Sequence, residues 1–231
     1  MPMKRVLFIT GTDTGVGKTV LSCLLARRLF ARGVSVAAYK PLCSGGREDA
    51  LALHAALHGL LDLDAINPWH FRAPLAPLLA ARREGKTIQL ADVVKGAKRL
   101  LLQHDLLLVE GAGGLLSPLG EGFNARDLIR AWHATPVVVC PNRLGAVNQA
   151  LLVLAALPTA AEQRAQVVLV AQPQRDASTA SNAALLAEQI GAERVHPLPW
   201  LAELRVLPTP PASVRRMLDR LLAALGLPAA R

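Results

Sequence analysis

The chain has 231 residues, of which 52% are hydrophobic and only 3% aromatic, and its formal net charge is +9. This is enough for one large α/β domain with an aliphatic core, while the scattered basic residues lack the interleaved aromatics of a nucleic-acid-binding surface. Three widely spaced cysteines argue against a disulfide framework, and no segment is typical of a signal peptide or a membrane span. We therefore expect a cytoplasmic protein with neither a membrane nor a nucleic acid as partner.

Strand and helix patterns alternate along the chain. In chain order the hydrophobic patterns predict a strand at 5–10, a helix at 18–33, a strand at 34–40, helices at 47–59 and 90–104, strands at 105–111 and 135–141, a helix at 145–157, a strand at 165–173, and helices at 178–191 and 211–226. Continuous apolar runs are typical of strands that are covered on both faces. The pattern predicts a doubly wound, mostly parallel α/β sheet with helices on both faces, and residues 1–231 form one domain.

The segment "GTDTGVGKT" at 11–19 suggests a phosphate-binding loop, although its spacing departs from the usual pattern. In the common motif the first glycine lies six positions before the lysine. Counted from Lys18, that position is Thr12, and the glycine occurs one position earlier, at Gly11. The segment nevertheless lies between the first strand and the first long helix, where free amides and the helix dipole favour phosphate. An ordinary strand-to-helix turn is the alternative, but it leaves the Gly-Lys-Thr ending unexplained. We predict a P-loop NTPase-like site with one additional loop residue.

The parts of this loop have distinct expected roles in nucleotide binding. The backbone of Gly15, Val16 and Gly17 would surround phosphate oxygens. Lys18 would reach the terminal phosphates of ATP, and the hydroxyl of Thr19 would bind Mg²⁺.

Further candidates follow strands whose carboxyl ends should meet at the same edge of the sheet. Glu110 ends the predicted strand at 105–111 and could bind Mg²⁺, for which one or two carboxylates are usual. Lys40 ends the strand at 34–40, and Ser44 follows it closely; a second lysine suits phosphoryl transfer. Asp49 is a weaker metal candidate, because an acidic residue in the first turn of a helix is common for dipole reasons alone.

Six segments together resemble the dethiobiotin synthase family of ATP-dependent enzymes in biotin biosynthesis. They are "GTDTGVGKT", "YKPLCSGG", "DALAL", "NPWHFRAPLAPLLAARREGK", "LLLVEGAGGLLSPL" and "RLGAVNQALL", in that order. The resemblance implies that 7,8-diaminononanoate and CO₂ form a carbamate, that ATP phosphorylates it, and that the second amine closes the ring. It also implies Mg²⁺ as cofactor and ATP as co-substrate.

The resemblance assigns roles to individual positions. Lys18 and Lys40 would contact phosphate and carbamate, Thr14 would line the same pocket, and Ser44 would bind the substrate. Thr19, Asp49 and Glu110 would surround Mg²⁺. Gln172 stands where relatives have an asparagine that contacts adenine, so the base preference is open.

The family is a homodimer, and the resemblance implies that the partner subunit contributes to each active site. The segment from Leu144 to Asn148, including Gly145 and Ala146, would bind the substrate carboxylate of the neighbouring subunit. From the residues alone, this segment could equally be an ordinary helix start. Trp69, Trp132 and Trp200 are dispersed along the sequence, and we expect them to be packing residues.

Two other functions share this kind of loop. A partitioning-type ATPase switch would bind a macromolecular partner, but its relatives carry a lysine near the start of the loop, where this chain has Thr12-Asp13-Thr14. An amidotransferase-type ligase of corrin synthesis would need a glutaminase domain, and the chain ends about where the ligase core ends. We expect neither.

Overall fold

The fold is built around a six-stranded parallel sheet in the order β10-β9-β8-β1-β5-β2. The computed structural model describes residues 5–200 and 210–227. The strands of this sheet are β1 (Arg5–Gly11), β2 (Val36–Tyr39), β5 (Leu106–Glu110), β8 (Thr135–Asn142), β9 (Gln166–Ala171) and β10 (Val195–Leu198). Two small sheets pair β3 (Leu42–Ser44) with β4 (Trp69–Phe71) and β6 (Pro118–Gly120) with β7 (Phe123–Asn124).

Helices cover both faces of the sheet. They are α1 (Lys18–Ala31), α2 (Glu48–Ala56), α3 (Leu63–Ile66), α4 (Pro77–Arg83), α5 (Leu90–Gln103), α6 (Ala125–Ala131), α7 (Ala146–Ala156), α8 (Thr159–Glu162), α9 (Asn182–Ile190) and α10 (Ala212–Ala224), with a short 3₁₀ turn at Ala192–Arg194. Alternate residues of β1 point to opposite faces: Phe8 packs in the core with α4 to α9, whereas Leu7 and Ile9 pack in the core with α1, α2 and α10. The predicted doubly wound fold with helices on both faces is confirmed.

The topology brings the candidate site residues to one edge. Strand β1 lies between β5 and β8, so the chain first builds one half of the sheet and then returns to build the other. All six strands are parallel, and their carboxyl ends meet at the crevice where the strand order reverses. The loop after β1, the end of β2 and the end of β5 are therefore neighbours.

The predicted elements are all present, with boundaries that move by one to four residues. The largest change is at α9, which begins at Asn182 instead of 178, because residues 177–181 form turns in which Ser178 N donates to Asp176 Oδ1 at 2.9 Å. The sixth strand, β10, was not predicted: it is a four-residue edge strand that contains Pro197, a residue that edge strands tolerate but that weakens a strand pattern.

The cysteines and the helix lengths bear on the expectations drawn from composition. Cys23, Cys43 and Cys140 are all buried, and none of the three is in a disulfide bond. No helix within residues 5–200 and 210–227 has the length and apolar character needed to cross a bilayer.

Candidate active site

The segment between β1 and α1 has the geometry of a phosphate-binding loop. Gly17 is the N-cap residue of α1 and has φ 102°, a left-handed conformation that side chains strongly disfavour. No side chain caps this helix end, so the first amides of α1 are available to a ligand. Thr12 N donates to Val139 O at 3.0 Å, which fixes the start of the loop on the neighbouring strand β8.

Lys18 begins α1 and is buried beneath this loop, with 6% of its surface exposed. Its Nζ donates to Asp13 O at 2.6 Å, across the loop. Burial is the main cause that lowers the pKa of Lys18 to about 8, and the positive charge of Lys40 lowers it further against the opposing effect of nearby carboxylates. Burial therefore disfavours the protonated form of Lys18, and a bound anion would favour it.

Thr19, Asp49 and Glu110 meet at the foot of the loop. Thr19 Oγ1 lies 2.8 Å from Asp49 Oδ1 and 2.9 Å from Glu110 Oε1, so its one hydroxyl hydrogen is shared between two carboxylates. Glu110 is 1% exposed, and its Oε2 has no hydrogen-bond partner among the described residues. A buried carboxylate oxygen without a partner is costly unless a ligand satisfies it. Three hard oxygen donors with one unsatisfied oxygen fit Mg²⁺.

Lys40 follows β2 and is buried against the same carboxylates. Its Nζ donates to Glu110 Oε1 at 2.7 Å and to Gly111 O at 3.0 Å, and lies 3.1 Å from Asp49 Oδ2. Burial by itself lowers the pKa of Lys40, but Glu110 and Asp49 outweigh it and hold the pKa above its usual value. Lys40 therefore stays protonated over a wider pH range than Lys18, whose pKa is lowered to about 8.

A cleft of about 1280 Å³ opens above this cluster at the carboxyl edge of the sheet. It is lined by most of the residues that the sequence predicted for the site: Thr14, Gly15, Val16, Gly17, Lys18, Thr19, Lys40, Ser44, Asp49 and Gln172. Glu110 lies below the cleft and contacts it through its bonds to Thr19 and Lys40. The cleft therefore joins a phosphate loop, a metal-binding corner and two lysines.

Comparison with known proteins places this arrangement in a family. A family model described as an AAA domain matches residues 5–206. The ATP-dependent dethiobiotin synthetase BioD of Anaeromyxobacter dehalogenans is 42% identical over 201 residues, which cover 85% of this chain and 90% of that protein. The protein of the same name from Baumannia cicadellinicola is 34% identical over 214 residues, covering 88% of this chain and 94% of its own. The chain belongs to the dethiobiotin synthetase family.

Solved structures with a similar fold are more distant. A chain described as a plasmid partition protein of Borrelia burgdorferi, bound to AMPPNP, has a TM-score of 0.56 at 12% identity and covers 96% of this chain and 98% of its own. The cell division protein MinD of Aquifex aeolicus has a TM-score of 0.54 at 16% identity, with 97% and 99% covered. At this identity the likeness shows a common fold and does not carry the partition function over to a dethiobiotin synthetase family member.

The segment that was predicted to contact a partner subunit lies outside the cleft of its own chain. Gly145 is the N-cap residue of α7, with no side-chain cap, and Ala146 begins the helix. Asn148 is exposed. Leu144 N donates to Asp176 Oδ2 at 2.7 Å, so one amide of this helix start already has a carboxylate partner. None of Gly145, Ala146 and Asn148 is among the residues that line the described cleft.

Gln172 lines the cleft, but its side chain folds back on the strand that carries it. Its Nε2 donates to Val170 O at 2.9 Å and to Ala171 O at 3.3 Å. The amide nitrogen is thus engaged with two carbonyl oxygens of β9. Gln172 therefore lines the cleft, and its predicted contact with the base stays a prediction.

The sequence analysis did not predict one wall of this cleft. Leu198, Pro199 and Trp200 line it at the end of β10, and Trp200 is 47% exposed. The expectation that Trp200 is a packing residue was therefore wrong, since an exposed indole at a cleft wall is available to a ligand. Its strand was missed, and without the strand no sequence signal placed this tryptophan at the carboxyl edge.

Proposed function

We propose that this chain catalyses the ATP-dependent formation of dethiobiotin from 7,8-diaminononanoate and CO₂. The observation that carries the proposal is the buried contact of Thr19, Asp49, Glu110 and Lys40 directly beneath the phosphate loop. Membership of the dethiobiotin synthetase family supplies the substrate class. A cleft of about 1280 Å³ is large enough for a nucleotide and a nine-carbon diamine side by side.

The reaction proceeds in three bond-forming steps. One amine of the substrate adds to CO₂ and loses a proton, which leaves a carbamate anion. A carbamate oxygen then attacks the γ-phosphorus of ATP, and ADP leaves, so that a carbamic-phosphoric anhydride forms. The second amine attacks the carbonyl carbon, the C–O bond to phosphate breaks, and loss of a proton completes the five-membered ureido ring. Positioning and charge neutralisation carry this chemistry, since no covalent intermediate with the protein is needed.

Two lysines neutralise the reacting anions. Lys18, at the start of α1, would bind the terminal phosphates of ATP together with the loop amides of Gly15, Val16 and Gly17. Lys40, which stays protonated, would hold the carbamate against the γ-phosphate. Thr14 and Ser44 also line the cleft and would hydrogen-bond phosphate and substrate.

Thr19, Asp49 and Glu110 would hold Mg²⁺, for which the unsatisfied Glu110 Oε2 is a fitting ligand. When bound, the metal neutralises the charge that develops on the phosphate oxygens. The residues that hold it also keep Lys40 in place through the contact of its Nζ with Glu110 Oε1. Gln172 would approach the base with its amide oxygen.

A homodimer would complete the site. Gly145 and Asn148 are exposed at the start of the 11-residue helix α7, whereas Ala146 is buried and its amide donates to Arg143 O at 3.0 Å. The other amides in the first turn of a helix attract a carboxylate. In the proposed dimer this helix start would bind the substrate carboxylate in the neighbouring subunit's cleft. The chain would act as one domain over residues 1–231, in the cytoplasm, where ATP is available and its three cysteines, which form no disulfide, stay reduced.

The test is phosphate release from MgATP and bicarbonate with and without 7,8-diaminononanoate, together with mass detection of dethiobiotin. Product formed in proportion to phosphate is the expected result. Phosphate release that ignores the diamine and gives no dethiobiotin would overturn the proposal. The Lys18→Ala variant is the control for the site, because it should remove turnover while leaving the fold intact.

A further inference from the structure

The main chain of Lys40 lies just beyond the sheet and is held by other residues. The pairing of β2 with β5 ends at Tyr39, opposite Val109. Lys40 N donates to Ile66 O at 2.9 Å, and Lys40 O accepts a hydrogen bond from Asn67 Nδ2 at 2.7 Å. Both polar main-chain groups of this lysine are therefore held by the end of α3 and the residue that follows it.

Asn67 is a fully buried polar residue whose side chain is saturated with hydrogen bonds. Its exposed fraction is 0%. Besides Lys40 O, its Nδ2 lies 3.2 Å from Trp69 O, and its Oδ1 accepts from Arg47 Nε at 3.1 Å. Burying an amide is costly unless its groups are paired, so this side chain is held in one orientation by its partners.

Arg47 connects the same asparagine to the element that carries Asp49. Arg47 is the N-cap residue of α2 and lies two positions before Asp49. Its Nη2 donates to Asn67 O at 3.0 Å and to Leu63 O at 3.2 Å, and forms an ion pair with Asp64 at 2.8 Å. The end of β2 and the start of α2 are thus joined through Asn67, and their side chains meet where Lys40 Nζ lies 3.1 Å from Asp49 Oδ2.

We propose that Asn67 is a positioning residue, which fixes the backbone of Lys40 so that its ammonium group lies at the reacting phosphate. Arg47 braces the asparagine amide from the opposite side. The inference rests on the proposed function and adds to it a residue that touches no substrate: Asn67 does not line the cleft. The physical reason is the flexibility of the lysine stem, whose end can be placed accurately only if its Cα is held. A displacement of about 1 Å at a reacting group can lower the rate about 10²-fold.

The first test is the kinetics of Asn67→Ala in the full chain. We expect kcat to fall about 10²-fold while KM for MgATP is unchanged, because the phosphate loop belongs to β1 and α1. The matched control is Val214→Ala, a buried residue of α10 with 0% exposure that lies outside the site. This control should lose stability without losing kcat. If both variants lose kcat in proportion to their loss of stability, Asn67 is only structural and the inference is overturned.

The second test asks whether Asn67 acts through Lys40. In a Lys40→Met background, Asn67→Ala should lower the residual kcat no further, because the group that it positions is gone. A further loss of the same size as in the wild type would overturn the inference. Asn67→Asp keeps an acceptor for Arg47 but loses the donor to Lys40 O, so it should match Asn67→Ala; retained activity in this variant would also contradict the proposal.

Two outcomes separate this inference from the proposed function. If the wild-type chain shows no diamine-dependent phosphate release, the proposed function fails. If the wild type is active and folded Asn67→Ala is equally active, only the inference fails. Should both Asn67 variants fail to fold, Arg47→Gln replaces them: its side chain is 21% exposed, and we expect a smaller fall in kcat, again with KM for MgATP unchanged. Unchanged kcat in that variant would refute the bracing role and with it the proposal.

Discussion

Nucleotide binding should draw a proton onto Lys18, because burial in the cleft disfavours the charged form of this side chain. Burial and the nearby Lys40 lower the pKa of Lys18 from 10.5 to about 8. A bound triphosphate places negative charge beside the ammonium group and should restore the ordinary pKa. At pH 8.5 the lysine is then about one quarter protonated before binding and almost fully protonated afterwards, so uptake is about 0.75 proton per nucleotide. At pH 7 it is about nine-tenths protonated at the outset, and uptake falls to about 0.1 proton.

The assay is isothermal titration calorimetry with MgATP in buffers of different ionisation enthalpy at pH 7 and pH 8.5. The slope of the observed enthalpy against the buffer enthalpy gives the number of protons taken up. The matched control is Lys18→Arg, which keeps a positive charge but does not titrate in this range, so its slope should be near zero at both pH values. Wild-type uptake that is equal at the two pH values, or that persists in Lys18→Arg, would refute the assignment of the proton to Lys18.

Three further predictions concern the buried pair of Lys40 and Glu110, His196 on the edge strand β10, and the contact of Gln172 with the base. Lys40→Met should lower the free energy of unfolding by about 3–5 kcal/mol in chemical denaturation, because it leaves Glu110 buried without its closest cation, and adding Glu110→Gln should recover part of the loss. His196 is bonded to Gln166 Oε1 at 2.9 Å, and burial followed by the charge of Arg220 lowers its pKa from 6.5 to about 4. Because the pKa of His196 is lower in the folded chain, the unfolded chain binds this proton more tightly. The free energy of unfolding should therefore be unaffected by this group above about pH 6.5 and should fall by at most about 3 kcal/mol as the pH falls towards 4. His196→Gln should remove this part of the pH dependence, and an identical pH profile for the variant would contradict it. Gln172→Ala should change the ratio of kcat/KM for ATP to that for other triphosphates, whereas an equal loss with every nucleotide would count against its contact with the base.

Much of the candidate site could be read from local sequence. The Gly-Lys-Thr ending needs only the strand before it and the helix after it to place Lys18 and Thr19, and both elements have strong hydrophobic patterns. Glu110 follows a continuous apolar strand, so the parallel topology alone predicts which edge it occupies. These predictions depend on contacts within about twenty residues, for which hydrophobic periodicity is informative.

The parts that the sequence did not reveal depend on residues distant along the chain. Strand β10 has only four residues, one of them Pro197, and it pairs on one side only, so neither length nor periodicity marks it. Trp200 follows that strand, and its place at the cleft could not be predicted without it. Asn67 lies in a Pro-rich segment whose role is visible only from its bond to Lys40 O, 27 positions away.

Composition, the spacing of the loop and the order of apolar segments by themselves determined the fold class and the nucleotide loop, and the resemblance of six segments indicated the family. These features are local in the sequence, and the apolar pattern of a segment predicts its structure because the apolar side chains must be buried. Only the tertiary structure decided the charge state and fixed geometry of the site. The raised pKa of Lys40, the lowered pKa of Lys18 and the unsatisfied oxygen of Glu110 all arise from desolvation and from charges that β1, β2 and β5 bring together. Electrostatic energies depend on distance and burial in space, which spacing along the chain does not specify.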